Sequence, residues 1–172
     1  TTRMRLSKIL LIIALFVTPS FAQNILRVGD MSPQFAAPGM NDTFFDLSAM
    51  RNSVVLVTFW STKCEICRHE IPQLNQFKKR YEGRGVVFLA VTMESESSVE
   101  PFLRSNKFDF SVIPNGFGIV LQFADRDKKG QMDMGFPAYY LIDRSGRVAY
   151  RSSGWDKVPA MASQIDQLLA SN

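Results

Sequence analysis

Phe59-Trp60-Ser61-Thr62-Lys63-Cys64-Glu65-Ile66-Cys67-Arg68-His69-Glu70-Ile71-Pro72 holds both cysteines of a 172-residue chain, and two different hydrophobic patterns meet in it. Before it, Val54-Val55-Leu56-Val57-Thr58-Phe59-Trp60 is an unbroken β-branched and aromatic run, the signature of a strand covered on both faces. After it, Ile71, Leu74, Phe77 and Tyr81 recur at threes and fours, which predicts a helix that stops at Gly83 and Gly85. The cysteines therefore stand at a strand-to-helix turn. Helix-opening N–H groups and the helix dipole favour negative charge there, so Cys64 ionises more readily than a free cysteine with its pKa of about 8.5. A thiolate is the species that attacks a disulfide, and a second thiol one helical turn further in can resolve the mixed disulfide. This makes Cys64 the attacker and Cys67 the resolver.

Competing uses of the pair fail on ligand counts. Structural zinc wants four ligands, but the chain offers one pair and a single histidine, His69. Covalent haem attachment wants histidine directly after the second cysteine, where Arg68 stands. A static disulfide closing so small a loop would remove little entropy from the unfolded chain. No metal and no cofactor are expected. His69 reads as a surface residue of the helix, with no acid beside it except Glu70, which faces elsewhere.

Working outward, Val28-Gly29-Asp30-Met31-Ser32-Pro33-Gln34-Phe35 reads as a loop entering a short extended piece. Val86-Val87-Phe88-Leu89-Ala90-Val91 is a second buried strand, and Ser97-Ser98-Val99-Glu100 opens another helix as a capping box with Pro101 in its first turn. In the less legible stretch 106–136, Phe108, Phe110, Val112 and Ile113 suggest a strand and Ile119–Ala124 a short helix. Asp125–Gly130 reads as a solvated charged loop. Ala138–Ile142 and Arg147–Tyr150 form a hairpin around Asp143-Arg144-Ser145-Gly146, and Val158, Met161, Ile165, Leu168 and Leu169 mark a last amphipathic helix, with Trp155 as its cap. The order predicts a three-layer α/β domain with a central mixed sheet flanked by helices.

With 46% hydrophobic and 21% charged residues, the composition is that of one globular domain. The formal charge of +4 would admit an anionic partner, but Arg3, Arg5 and Lys8 account for most of it and leave +1 for residues 23–172, so a nucleic-acid partner is not expected. Those cations precede the apolar run Ile9–Val17 and the small residues up to Ala22, the order of a secretory signal peptide over residues 1–22. Nine apolar residues fall short of the ~20 a spanning helix needs, so membrane contact is expected only through this segment if uncleaved. The domain, residues 23–172, is expected outside the cytoplasm, in the periplasm or at the outer face of the membrane, where disulfides persist.

The segment from Phe59 to Pro72 resembles the active-site segment of the TlpA/ResA-like branch of the thioredoxin superfamily. Val28-Gly29-Asp30 with Pro33 and Phe35, the strand Gly85–Val91, and Gly135-Phe136-Pro137 before Leu141-Ile142-Asp143 and Gly146 agree in order and spacing, so the resemblance covers residues 26–170. It implies a thioredoxin fold with an N-terminal extension and the activity of an exported thiol-disulfide oxidoreductase. It further implies that Pro137 is a cis-proline packed on the cysteines, with the backbone of Phe136 exposed for pairing with a substrate peptide. By the same match Pro72 kinks the active-site helix, and Glu70 tunes proton transfer at the cysteines. Trp60 is expected to pack under the motif.

Several positions depart from the pattern. The buried Asp of thioredoxins proper is Thr58 here, which leaves Glu70 as the available proton acceptor. Lys63 replaces a Trp and favours a thiolate through space, whereas Glu65 opposes it, and Ile66 replaces the frequent Pro. The expected direction is reduction of disulfides in cysteine-containing exported proteins, with electrons from a membrane thiol carrier, for instance in cytochrome c maturation. Two other classes compete: a peroxiredoxin-type thiol peroxidase, which wants Thr where Ser61 stands and finds Thr62 one place late, and a non-enzymatic copper-binding chaperone, which wants a distant histidine that the chain lacks.

Overall fold

The computed structural model describes residues 25–171, so the expected signal segment 1–22 lies outside the described residues. A small hairpin, β1 (Ala36–Pro38) against β2 (Phe44–Asp46), and a 3₁₀ turn at Leu47–Met50 form the N-terminal extension. Then follow β3 (Val54–Phe59), α1 (Glu65–Arg80), β4 (Val86–Val91), α2 (Glu96–Ser105), β5 (Ser111–Ile113) and α3 (Phe117–Phe123). A two-residue pair, β6 (Asp125–Arg126) and β7 (Met132–Asp133), leads into β8 (Ala138–Ile142), β9 (Val148–Ser153) and α4 (Val158–Ala170).

The main sheet has the order β5-β4-β3-β8-β9, with β3, β4 and β5 parallel, β8 antiparallel to β3, and β9 returning antiparallel to β8 in a hairpin, so that it runs in the direction of β3. Every residue of β3 is buried, because alternate side chains meet different layers. Val54 and Leu56 join Leu74 and Phe77 of α1 and Met161 and Ile165 of α4. Val55, Val57 and Phe59 join Ile119, Val120 and Phe123 of α3 and Leu26 and Phe35 of the extension. This is the three-layer mixed sheet that the sequence predicts.

Register decides where a site can form. Phe59 pairs with Val91 and Val91 with Ile113, while Phe59 also pairs with Ala138 and Ala138 with Ser153. Five strand ends thus form one row. The segments that continue from them, 60–63, 92–95, 114–116, 135–137 and 154–156, crowd one end of the sheet.

Three local expectations change. α2 starts at Glu96 with Ser95 as its extended N-cap, so Ser97 is inside the helix and Pro101 is its sixth residue, past the first turn. The donor missing at Pro101 would have gone to the carbonyl of Ser97, which is exposed, so water can replace it. Asp125–Gly130 is not a free loop: Asp125 pairs with Arg151 of β9, and the Asp127 carboxylate accepts from the N–H groups of Lys129 and Gln131, at 2.8 Å each, to close the β6–β7 turn. Trp155 is 53% exposed, and Lys157, not Trp155, caps α4.

Candidate functional site

Cys64 is the N-cap of α1, in extended conformation (φ −84°, ψ 106°), and its Sγ accepts the N–H of Cys67 at 3.1 Å. A side chain in that place satisfies one of the orphan donors of the helix start, and here the acceptor is sulfur. The two cysteines are joined as a disulfide with Cα atoms 5.2 Å apart. Cys64 is half-buried, whereas Cys67 faces the core and is 3% exposed. An incoming group therefore reaches Cys64 first.

Around them the expected residues take distinct places. Trp60 is buried against Phe102 and Phe108, with ring centroids 5.5 Å away in each case. Lys63 and Glu65 are exposed on either side of Cys64, and Pro72 sits midway along α1. The Phe136–Pro137 peptide bond is cis, at the strand end in register with Phe59. Pro137 is buried and its carbonyl accepts from Gly154 N–H at 2.8 Å. Among the described residues the backbone N–H and C=O of Phe136 have no backbone partner. His69 stays exposed and lies 3.7 Å from the Glu65 carboxylate, one turn earlier, a partner absent from the sequence reading.

Glu70 is 1% exposed, and both of its oxygens are occupied. Oε2 accepts from the Tyr139 hydroxyl at 2.5 Å and Oε1 from the N–H of Asp156 at 2.7 Å. Burial, and next the hydrogen bond and charge of Glu70, raise the Tyr139 pKa far above that of a free phenol, so Tyr139 acts as a fixed donor. In the β3–β8 register Tyr139 lies beside Thr58, whose buried hydroxyl has no partner among the described residues. Glu70 thus stands on the Cys67 side of the sheet as a held, dry carboxylate.

Tyr139, Asp156 and Glu94 were missed in the sequence reading. Glu94 follows β4 and grips Thr62, accepting from its N–H at 2.7 Å and its hydroxyl at 2.5 Å. A signal was available for Glu94 alone: an acid just past the carboxyl end of a central parallel strand, where α/β sheets gather their functional groups.

A half-exposed cysteine at a helix N-cap, a buried partner one turn in and a cis-proline strand end beside them define a thioredoxin-fold dithiol site. The AhpC/TSA family model matches residues 28–151, and the chain belongs to that family. It is similar to the thiol-disulfide oxidoreductase ResA of Geobacillus kaustophilus, at 31% identity over 124 residues covering 72% of this chain and 67% of the relative. It is similar also to ResA of Bacillus cereus, at 26% over 132 residues, 75% of this chain and 71% of the relative. Among solved structures, one from Chlorobium tepidum assigned as a thiol:disulfide interchange protein DsbE is 30% identical and covers 84% of this chain and 99% of its own, with a TM-score of 0.68. The chain is a TlpA/ResA-like member of the thioredoxin superfamily and a thiol-disulfide oxidoreductase.

Proposed function

We propose that the protein works outside the cytoplasm as a reductant of disulfides in other exported proteins. The reduced enzyme attacks through the Cys64 thiolate. One substrate sulfur leaves as a thiolate, and a mixed disulfide forms. Glu70 then takes the proton of the Cys67 thiol, and the Cys67 sulfur attacks Cys64. The second substrate thiolate is released, and two electrons have passed from the enzyme to the substrate. The Cys64–Cys67 disulfide is the end of that turnover, so a thiol donor, in this reading a membrane carrier, must restore the dithiol. Maturation of c-type cytochromes is one process in which such a reductant of exported disulfides would act.

The observation that carries the reading is the asymmetry of exposure: Cys64 open at the helix cap, Cys67 sealed beneath it. Phe136 supports it, since its unpaired backbone beside the disulfide can bond an extended substrate segment. Cys64→Ser is expected to abolish reduction of insulin disulfides, while Cys67→Ser retains attack and accumulates a mixed disulfide detectable by mass spectrometry. Turnover surviving in Cys64→Ser would overturn the assignment.

A further inference from the structure

Glu94 joins three of the segments at the active end of the sheet. Its carboxylate takes both the N–H and the hydroxyl of Thr62, and the Thr92 hydroxyl adds a bond at 3.1 Å. Its backbone carbonyl accepts from Asn115 N–H, past β5, at 2.8 Å. The turn it holds runs directly to the attacking sulfur: Lys63 N–H donates to Ser61 Oγ at 3.1 Å, and Cys64 N–H donates to the Ser61 carbonyl at 3.1 Å. Burial works against ionisation of Glu94, but bonds from Thr62, Thr92 and Ser61 outweigh it and keep the carboxyl below the usual carboxylate range.

We propose that Glu94 is a positioning residue for Cys64: by gripping Thr62 at backbone and side chain it fixes the turn that seats the sulfur at the N-cap of α1. This rests on the redox reading of the cysteine pair given above. The stabilisation of an anion at a helix start falls off within the first turn, so a turn free to drift loses part of it. Glu94 reaches the chemistry only through Thr62. The Thr62 hydroxyl, committed to Glu94, is not available to a peroxide at Cys64.

Geometry and charge predict opposite signs, and variants separate them. A fixed anion acting through space would suppress the thiolate, so both Glu94→Gln and Glu94→Ala would speed alkylation of Cys64. A positioning role predicts that Glu94→Ala and Thr62→Val slow it, whereas Glu94→Gln, which keeps an acceptor for Thr62, stays near wild type. The measurement is the rate of iodoacetamide alkylation of the reduced full chain against pH, read at Cys64 by mass spectrometry. Lys63, Glu65, His69 and Glu70 remain unchanged in every variant. We expect Glu94→Ala to react roughly two- to fivefold more slowly at neutral pH, the scale of a helix terminus acting on one charge, with its pH profile displaced upward. Thr62→Val should add nothing in the Glu94→Ala background. Unchanged profiles in Glu94→Ala and Thr62→Val, or acceleration in Glu94→Gln, would overturn the proposal. Wild-type Cys64 inert to the reagent would instead sink the redox reading itself.

Discussion

Glu70 combines properties that rarely coexist: it is a carboxylate, it is sealed from water, and it faces no cation among the partners that hold it. Burying such a group costs several kcal/mol unless hydrogen bonds replace its hydration. Tyr139 and the Asp156 N–H supply those bonds from β8 and from the turn after β9, so the carboxylate has one orientation. In the proposed mechanism, a proton acceptor held this way would serve resolution and not attack. Glu70→Gln is therefore expected to leave alkylation of Cys64 nearly intact but to slow insulin reduction by about 10²-fold, the usual size of a general-base contribution. Mass spectrometry of the quenched reaction should show mixed disulfide accumulating. Equal losses at both steps would assign Glu70 to the geometry of α1 instead. Residue identity alone could not place this group: Tyr139 lies 69 residues from Glu70 and Asp156 lies 86 away.

At the scale of elements, the β8–β9 hairpin carries both Pro137 and the turn that reaches Glu70, so its own closure matters to the site. Asp143 closes it by accepting from Ser145 N–H at 2.9 Å, the Ser145 hydroxyl at 2.7 Å and Arg147 N–H at 2.9 Å. Burial disfavours the charged form, but these bonds prevail and hold the Asp143 carboxyl below its ordinary value. A depressed folded pKa contributes stability that is complete above the unfolded value and disappears as pH falls through the folded one. Asp143→Asn should thus lower stability at neutral pH by about 0.5–1 kcal/mol, the scale of a partly exposed capping bond. The gap between variant and wild type should close in urea melts on acidification below about pH 4, and a gap independent of pH would refute the charge-based account. The hairpin was legible because its apolar pairs and Asp-Arg-Ser-Gly turn are local. The Asp125 segment is surface-exposed as its charges indicate, but its anchoring was not legible because the partner of Asp125 is Arg151, 26 residues on. The start of α2 was misplaced because Ser95, Ser97 and Ser98 offer the same side chain, and only backbone geometry selects Ser95.

For the whole molecule, the row of strand ends explains why the site was half visible in sequence. Cys64 and Cys67 announce themselves because strand, turn and helix are contiguous, and a helix N-cap is a local event. Tyr139 and Asp156 arrive through the sheet register, which no local pattern encodes, and Glu94 carried only the signal of its place just past the end of β4. That shared end also sets the redox balance. The helix start favours a Cys64 thiolate, and Lys63, exposed beside it, adds little through water. Against them stand Glu65 in the first turn, the buried Glu70 on the side of Cys67, and the burial of Cys67 itself, each of which disfavours an anionic dithiol. On the proposed reading the reduced form is expected to be the less favoured one, and by linkage the disulfide is expected to stabilise the fold. Oxidised protein is expected to unfold at higher denaturant concentration than reduced protein, and titration against glutathione should place the potential near thioredoxin, about −270 mV, and not near an oxidant at about −120 mV. The two measurements must agree, because they are two sides of one thermodynamic cycle. A reduced form more stable than the oxidised one would reverse the proposed direction of electron flow while leaving the dithiol chemistry of Cys64 and Cys67 in place.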